Sequence, residues 1–175
     1  MLPDSRGKHY ALHLADCPGH SNFGDEGTAA LRAADAAVLV VDAVEGVVAQ
    51  TERVVAHAIE HKCAVVVVVN KVDRLIVELK LPPTDAYFKL LHTVDDVNAC
   101  LEAAWTAAAG RLDLDGPAPR VSPTRGDVLF ASSQHGWCFS LASFAAVYAD
   151  KNPGVDAERF SKRLWGDLYL DAATG

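Results

Sequence analysis

The sequence has little that would carry the chain into a membrane or onto a nucleic-acid backbone. There are 16 lysine and arginine residues against 23 aspartate and glutamate residues, a formal net charge of −7 that disfavours a broad basic face. The apolar run 64–69 is far too short to cross a bilayer. The first ten residues show neither the apolar core nor the cleavage site of a secretory signal. These features predict a soluble, intracellular protein without strong direct nucleic-acid binding and without a membrane partner.

Cysteine is sparse and has no metal-binding pattern. The four cysteines are Cys17, Cys63, Cys100 and Cys138. None forms a CxxC pair, and their intervals match no zinc pattern. We therefore expect free thiols in a reducing compartment.

Strand and helix patterns alternate along the chain. Its 175 residues and half-apolar composition suit one globular domain. Apolar runs and helical spacing predict strands at 10–15, 36–41, 64–69, 128–131 and 168–170, and helices at 25–34, 50–62, 140–150 and 156–164. A loop is expected to end at Pro82-Pro83, and the longest helix to begin after it with Thr84 as N-cap and to carry an apolar stripe to Trp105. A second loop is expected at 110–125. This order predicts an α/β fold with a mostly parallel sheet and flanking helices.

Polar side chains follow the predicted strands. Asp16, Asp42, Asn70 and Ser132 each stand where an apolar run ends. Ligands of parallel α/β sheets bind at the carboxyl ends of the strands, so these residues predict one shared site.

The quartet NKVD, residues 70–73, is the strongest motif. Guanine presents N1–H and its exocyclic amine as adjacent donors, and the Asp73 carboxylate can accept both. Asn70 can bridge neighbouring loops, and the stem of Lys71 can lie across the base. A polar turn after a strand is the alternative, which the preceding buried strand disfavours.

The segment DCPGH, residues 16–20, fits a phosphate-sensing loop. Asp16 would hold Mg²⁺ through a water molecule, because Mg²⁺ keeps most of its own waters. Gly19 would leave its backbone N–H free to reach the γ-phosphate, and His20 would position the attacking water. A tight turn with an incidental histidine is the alternative reading.

The segment FASSQ, residues 130–134, is a weaker third signal. Backbone amides and the small side chains of Ser132 and Ser133 could contact the guanine O6 there. Serines after a strand often only turn the chain, so this motif carries weight mainly beside the other two.

With these motifs the chain resembles the G domain of translational-type GTPases, in the elongation factor 2 branch. Within the branch it is most similar to the spliceosomal members, as shown by LPPTDAY (81–87) and supported by LPDSRGK (2–8), HSNFGDE (20–26), FASSQ and RLWGDLY (163–169). HGWCF (135–139) is common to the branch. The resemblance covers essentially all 175 residues.

The resemblance implies a GTP/GDP switch with Mg²⁺ that acts in pre-mRNA splicing in the nucleus. Its partners would be the scaffold and helicase proteins and the small nuclear RNA complex of the spliceosome. Asp16, Gly19 and His20 match the family's phosphate-sensing loop, with His20 in the catalytic position. Residues 70, 71 and 73 match its guanine loop, and residues 132 and 133 its last base-contacting loop.

The phosphate-binding motif GxxxxGK[ST] does not occur in these 175 residues. Gly7-Lys8 is followed by His9, and Leu2 stands where the first glycine should be. We therefore expect a partial G domain over residues 1–175, a fragment that lacks the phosphate-loop strand and has no second complete domain. That strand would lie between the strands at 10–15 and 36–41. We also expect that this chain alone does not hydrolyse GTP and binds it weakly at best.

Other readings remain open from the sequence. A fragment of elongation factor 2 itself is one, although LPPTDAY disfavours it. A non-catalytic interaction module that docks through exposed residues such as 75–80 is another. HAIEH, residues 57–61, matches an inverted zincin motif without an identifiable third ligand. DLDG, residues 113–116, lacks the closing glutamate of a calcium loop.

Overall fold

The computed structural model describes residues 2–3, 7–114 and 116–166. The strands are β1 (Leu2–Pro3), β2 (His9–Tyr10), β3 (Ala36–Asp42), β4 (Ala64–Asn70), β5 (Val128–Ser132) and β6 (Trp137–Phe139). The helices are α1 (Gly24–Ala33), α2 (Ala49–Glu60), α3 (Val72–Val77), α4 (Pro83–Ala109), α5 (Leu141–Lys151) and α6 (Ala157–Arg163). The predicted strand at 168–170 lies outside the described residues. Within the described ranges, no helix combines the length and apolar character that a membrane crossing needs.

Four strands form one sheet in the order β3-β4-β5-β6. β3 pairs in parallel with β4 from Ala36 opposite Ala64 to Asp42 opposite Asn70. β5 is parallel to β4, and β6 returns antiparallel to β5. The predicted α/β fold with a mostly parallel sheet is confirmed. β6 was not predicted, because it has only three residues and follows a tight turn directly.

The hydrophobic core combines one face of β3 and β4 with one face of α2 and α4. Val67 and Val69 of the central strand β4 are fully buried, as expected for the middle of a sheet. Opposite them, α4 contributes Val94, Val97 and Leu101, whose spacing of three and four residues places them on one side of the helix.

β3 is an edge of the four-stranded sheet. Leu39 and Val41 are buried on one face, whereas Val38 and Val40 on the other are 63% and 60% exposed. The strand predicted at 10–15 is wrong: only His9–Tyr10 is a strand, paired with Leu2–Pro3, and residues 11–19 have no regular secondary structure. A strand needs a neighbour for its backbone groups, and in the described part of the chain no strand joins this segment to β3.

Two predictions around α4 are corrected. The loop expected before Pro82-Pro83 contains the short helix α3. The N-cap is Pro82 and not Thr84, with Pro83 in the first helical position and no side-chain cap bond. Proline fits there because its fixed φ suits the first turn and its missing N–H has no helical partner to lose. The helix then runs for 27 residues to Ala109.

The remaining helices agree with the sequence to within a few residues. α5 begins after Ser140, whose hydroxyl accepts the N–H of Ser143, and α6 begins after Asp156, whose carboxylate accepts two backbone N–H groups. Both residues are good N-caps because their side-chain oxygens satisfy donors of the first turn.

Candidate functional site

The ends of three neighbouring strands meet at one edge of the sheet. The β3–β4 register ends with Asp42 opposite Asn70, and β5 ends beside them at Ser132. The expectation of a shared position is therefore met for these three residues. Asp16, the fourth residue of that set, lies in the segment without regular secondary structure.

Asn70 joins the loops that follow β4 and β5. Its Nδ2 donates to Oγ of Ser133 at 3.1 Å, and its Oδ1 accepts the backbone N–H of Ser133 at 3.1 Å. The same Oδ1 accepts the N–H of Lys71 at 2.8 Å. The side chain of Asn70 thus fixes the distance between the NKVD loop and the loop that follows β5.

Asp73 presents an unsatisfied acceptor in this loop. Its side chain is only 12% exposed, and Oδ1 is buried without a hydrogen-bond partner among the described residues. Oδ2 lies 3.9 Å from Nε2 of His135. A buried acceptor without a donor is costly, and a ligand that brings donors would relieve this cost.

The two serines differ in their surroundings. Ser132 is fully buried, and its Oγ accepts the backbone N–H of His135 at 3.2 Å. Ser133 is exposed at the loop surface and bound to Asn70. The Ser132 side chain therefore shapes the turn that brings His135 toward Asp73.

Lys71 has an unusual backbone and a fixed side chain. Its φ of 62° and ψ of 33° are left-handed, which is uncommon for a residue other than glycine. Its Nζ donates to Oδ2 of Asp42 at 2.7 Å. Nη1 of Arg74 lies 3.6 Å from the same oxygen.

Asp42 is held as an ionised acceptor. Burial pushes the pKa of its carboxyl upward, but the hydrogen bond from Lys71 and those from the backbone N–H groups of Val44 and Glu45 lower it more. The net pKa lies below the ordinary aspartate value, so Asp42 is negatively charged at neutral pH.

The predicted sensor residues do not reach this edge of the sheet. Asp16, Gly19 and His20 are exposed, and in the described ranges no hydrogen bond or ion pair joins them to the NKVD loop. Nδ1 of His20 accepts the backbone N–H of Asn22 at 3.2 Å and caps a 3₁₀ turn. A Cβ at Gly19 would meet no heavy atom within 4 Å among the described residues.

Asp16 fits a water-mediated contact to Mg²⁺ but no all-protein metal cage. No group of three His, Cys, Asp or Glu side chains able to hold a metal occurs among the described residues. Mg²⁺ commonly uses one or two carboxylates together with waters and substrate phosphates, so one exposed carboxylate suits it.

The two alternative metal motifs have other contacts. Nδ1 of His57 lies 3.3 Å from Glu60, which also pairs with Arg111 at 3.1 Å. This pairing ties α2 to the end of α4 and supplies no third metal ligand. The DLDG segment at 113–116 lies partly outside the described residues.

With this geometry in place, comparison with known families is decisive. The model of the elongation factor Tu GTP binding domain matches residues 4–157. The chain belongs to this family. The matched range includes the NKVD loop and the sheet edge where Asn70 and Asp73 lie.

Among curated proteins, this elongation factor Tu type domain is similar to spliceosomal components. It is 52% identical, over 99% of its length, to the 110 kDa U5 small nuclear ribonucleoprotein component CLO of Arabidopsis thaliana and to the 109 kDa component GFL of the same plant. It is 48% identical over 99% of its length to the pre-mRNA-splicing factor cwf10 of Schizosaccharomyces pombe. The chain spans 17% of the length of each of these relatives.

Two features of this edge of the sheet were not predicted from the sequence. Asp42 was predicted as part of the shared site, but its bond to the lysine of the NKVD loop was not. His135 was noted only in the motif HGWCF, and its position near Asp73 depends on the turn after β5. An aspartate that ends a strand parallel to the NKVD strand was the available signal for Asp42.

Proposed function

We propose that this chain is a G-domain region, over residues 1–175, of a GTP-binding GTPase component of the spliceosome. Family membership supports guanine-nucleotide binding, and the names of its relatives support a role in pre-mRNA splicing within a small nuclear ribonucleoprotein. Its place of action would be the nucleus. Its partners would be the scaffold and helicase proteins and the small nuclear RNA complex of that particle.

The observation that carries the proposal is Oδ1 of Asp73, which is buried and has no hydrogen-bond partner in the described part of the chain. A guanine base would bring its N1–H to one carboxylate oxygen and its exocyclic amine to the other. These charge-assisted bonds would satisfy Oδ1, and adenine offers no such adjacent pair of donors. Base specificity would therefore be set at Asp73.

The neighbouring residues would shape the pocket around that carboxylate. Asn70 would hold the two loops at the width of a base through its bonds to Ser133. The stem of Lys71 would cover one face of the base, and backbone amides at Ser132 and Ser133 would face the guanine O6.

The phosphate end would depend on Asp16, Gly19 and His20. Asp16 would orient a water on Mg²⁺, Gly19 would offer its N–H to the γ-phosphate, and His20 would position the attacking water. When bound, the Mg²⁺ ion would neutralise charge on the phosphates.

A non-catalytic interaction module is a second candidate, favoured by a specific surface. Ile76 and Val77 at the end of α3 are each 64% exposed, and Leu79 in the following turn is 47% exposed. Adjacent exposed aliphatic side chains of this kind are typical of docking sites. A fragment of elongation factor 2 is disfavoured by LPPTDAY and by the splicing names of the relatives.

Titration of the purified 175-residue chain with GDP, GTP and ADP, followed by two-dimensional NMR, tests the proposal. We expect guanine nucleotides to shift the amide signals of residues 70–73 and 132–135, with a dissociation constant weaker than micromolar because no phosphate-loop motif is present. ADP should leave these signals unchanged.

The control is Glu102→Gln, an exposed site on α4. It should behave as the wild type. Equal shifts with ADP and GDP, or no shift at millimolar GDP, would contradict guanine recognition by this chain. Micromolar or tighter GTP binding would contradict the expectation that the affinity is weak.

A further inference from the structure

The lysine of the NKVD loop is held in place from a different strand. Lys71 has left-handed backbone angles, which cost a non-glycine residue energy and persist only when surrounding contacts fix them. Two such contacts exist: Oδ1 of Asn70 accepts its N–H, and Oδ2 of Asp42 accepts its ammonium group. The first fixes the backbone, and the second fixes the far end of the side chain.

Asp42 is itself anchored more firmly than an ordinary surface carboxylate. Its Oδ1 accepts the backbone N–H of Val44 at 2.8 Å, and its backbone carbonyl accepts the N–H of Gly46 at 2.8 Å. Its side chain is 12% exposed, against 48% for Lys71. A largely buried, anchored acceptor therefore holds a half-exposed donor.

Arg74 does not replace this contact. Its Nε donates to Glu78 at 2.8 Å, whereas its Nη1 stays 3.6 Å from Asp42. The short hydrogen bond on Asp42 Oδ2 is that of Lys71. Glu78 therefore offers a matched control for Asp42, because both carboxylates lie near Arg74 but the hydrogen bond from Lys71 goes to Asp42.

We propose that Asp42 is a positioning residue for guanine-nucleotide binding: it holds the Lys71 ammonium group and so keeps the lysine stem in place over the base site. This inference rests on the proposed function, because it assigns a role within the same site. In this role Asp42 acts through Lys71 and not through a contact of its own with the nucleotide.

The test is a double-mutant cycle with Asp42→Asn and Lys71→Met. Asparagine keeps an oxygen for the Val44 N–H but loses the charge, and methionine keeps the apolar stem of lysine but loses the ammonium group. GDP affinity is measured by NMR titration for the wild type, both single variants and the double variant. Mass spectrometry measures the acetylation rate of Lys71 in the absence of nucleotide.

We expect Asp42→Asn to weaken GDP binding about fivefold, the upper range for a partly exposed ion pair. In the Lys71→Met background the same change should have no further effect, because the contact through which Asp42 acts is already gone. Acetylation of Lys71 should become several times faster in Asp42→Asn. Glu78→Gln should leave both GDP affinity and Lys71 acetylation at their wild-type values.

Each outcome separates the two proposals. Wild-type GDP binding that is unchanged by Asp42→Asn, or weakened equally in both backgrounds, overturns the role of Asp42 and leaves guanine recognition standing. A wild type without guanine-specific shifts overturns both, and the acetylation rates then show only whether the Asp42–Lys71 contact exists. Unfolding midpoints in urea for all variants identify a loss of affinity that follows from a loss of folded protein.

Discussion

Asp73 carries the chemical argument at the scale of single residues. Its Oδ1 is buried and has no hydrogen-bond partner among the described residues, and Oδ2 lies 3.9 Å from Nε2 of His135. Because a desolvated acceptor gains most from a donor, small changes at this side chain should change which base is bound.

We predict that Asp73→Asn reverses the base preference. The amide would set an N–H₂ donor against the guanine amine, whereas xanthine has a carbonyl oxygen at that position. Losing a charged hydrogen bond costs about 1.5–3 kcal/mol, so the ratio of guanine to xanthine affinity should fall roughly 100-fold. Competition NMR titrations with GDP and xanthosine diphosphate measure this ratio.

The surface variant Glu102→Gln serves again as the control for this ratio. A guanine preference that survives in Asp73→Asn would show that the base is recognised elsewhere.

At the scale of elements, one buried asparagine links α4 to the segment before β5. Nδ2 of Asn98 donates to the carbonyl of Val121 at 3.0 Å, and Oδ1 accepts the Val121 N–H at 2.8 Å. Both residues are buried, so water cannot readily replace these bonds. This link helps to fix where β5 enters the sheet.

Asn98→Ala should therefore lower the free energy of unfolding by about 2–4 kcal/mol, because two buried backbone groups lose their partners. Urea denaturation followed by circular dichroism gives the value. Thr106→Ala is the matched control: its exposed hydroxyl bonds only to the carbonyl of Glu102 in its own helix. Equal stabilities of the two variants would refute the importance of the Asn98 link.

The edge strand β3 leads to a second prediction at this scale. Val38 and Val40 are exposed on β3, whose outer edge pairs with no strand among the described residues, an arrangement that promotes edge-to-edge association. Val40→Lys should reduce light scattering of concentrated protein and leave the free energy of unfolding within about 0.5 kcal/mol.

Leu39→Ala, on the buried face of β3, should instead lower the free energy of unfolding by about 2–4 kcal/mol. Scattering by Val40→Lys as strong as that of the wild type would mean that association uses another surface.

The elements most accurately predicted from the sequence are those with a strong local pattern. β4 is a run of valines, and the apolar stripe of α4 repeats over many turns, so both elements are visible in the residues themselves. The run of valines did not show that only Val67 and Val69 are fully buried, while the other face of β4 is half-buried. β6 and α3 were missed because three and six residues hold too little pattern. The prediction of a strand at 10–15 was wrong although the residue pattern suits a strand, because no strand among the described residues pairs with this segment.

At the scale of the whole molecule, the charge balance predicts that the chain binds RNA weakly. A formal net charge of −7 opposes the phosphate backbone, which dominates nucleic-acid affinity. We expect filter binding with single-stranded RNA at about 150 mM salt to give a dissociation constant of roughly 10⁻⁵ M or weaker, which is no tighter than ordinary non-specific binding. Tight, salt-sensitive binding would reveal a basic patch that the overall charge conceals.

The sequence by itself determined the family and the α/β order and predicted a base-recognition loop at NKVD, because these depend on residue type and local spacing. Only the tertiary structure decided that Asp42 holds Lys71, that Ser132 is buried while Ser133 is exposed, and that His135 lies near Asp73. These contacts join residues from 3 to 63 positions apart, including the Asn70–Ser133 bridge. The register of parallel strands and the turn after β5 bring them together, and neither can be read from the residues of one segment alone.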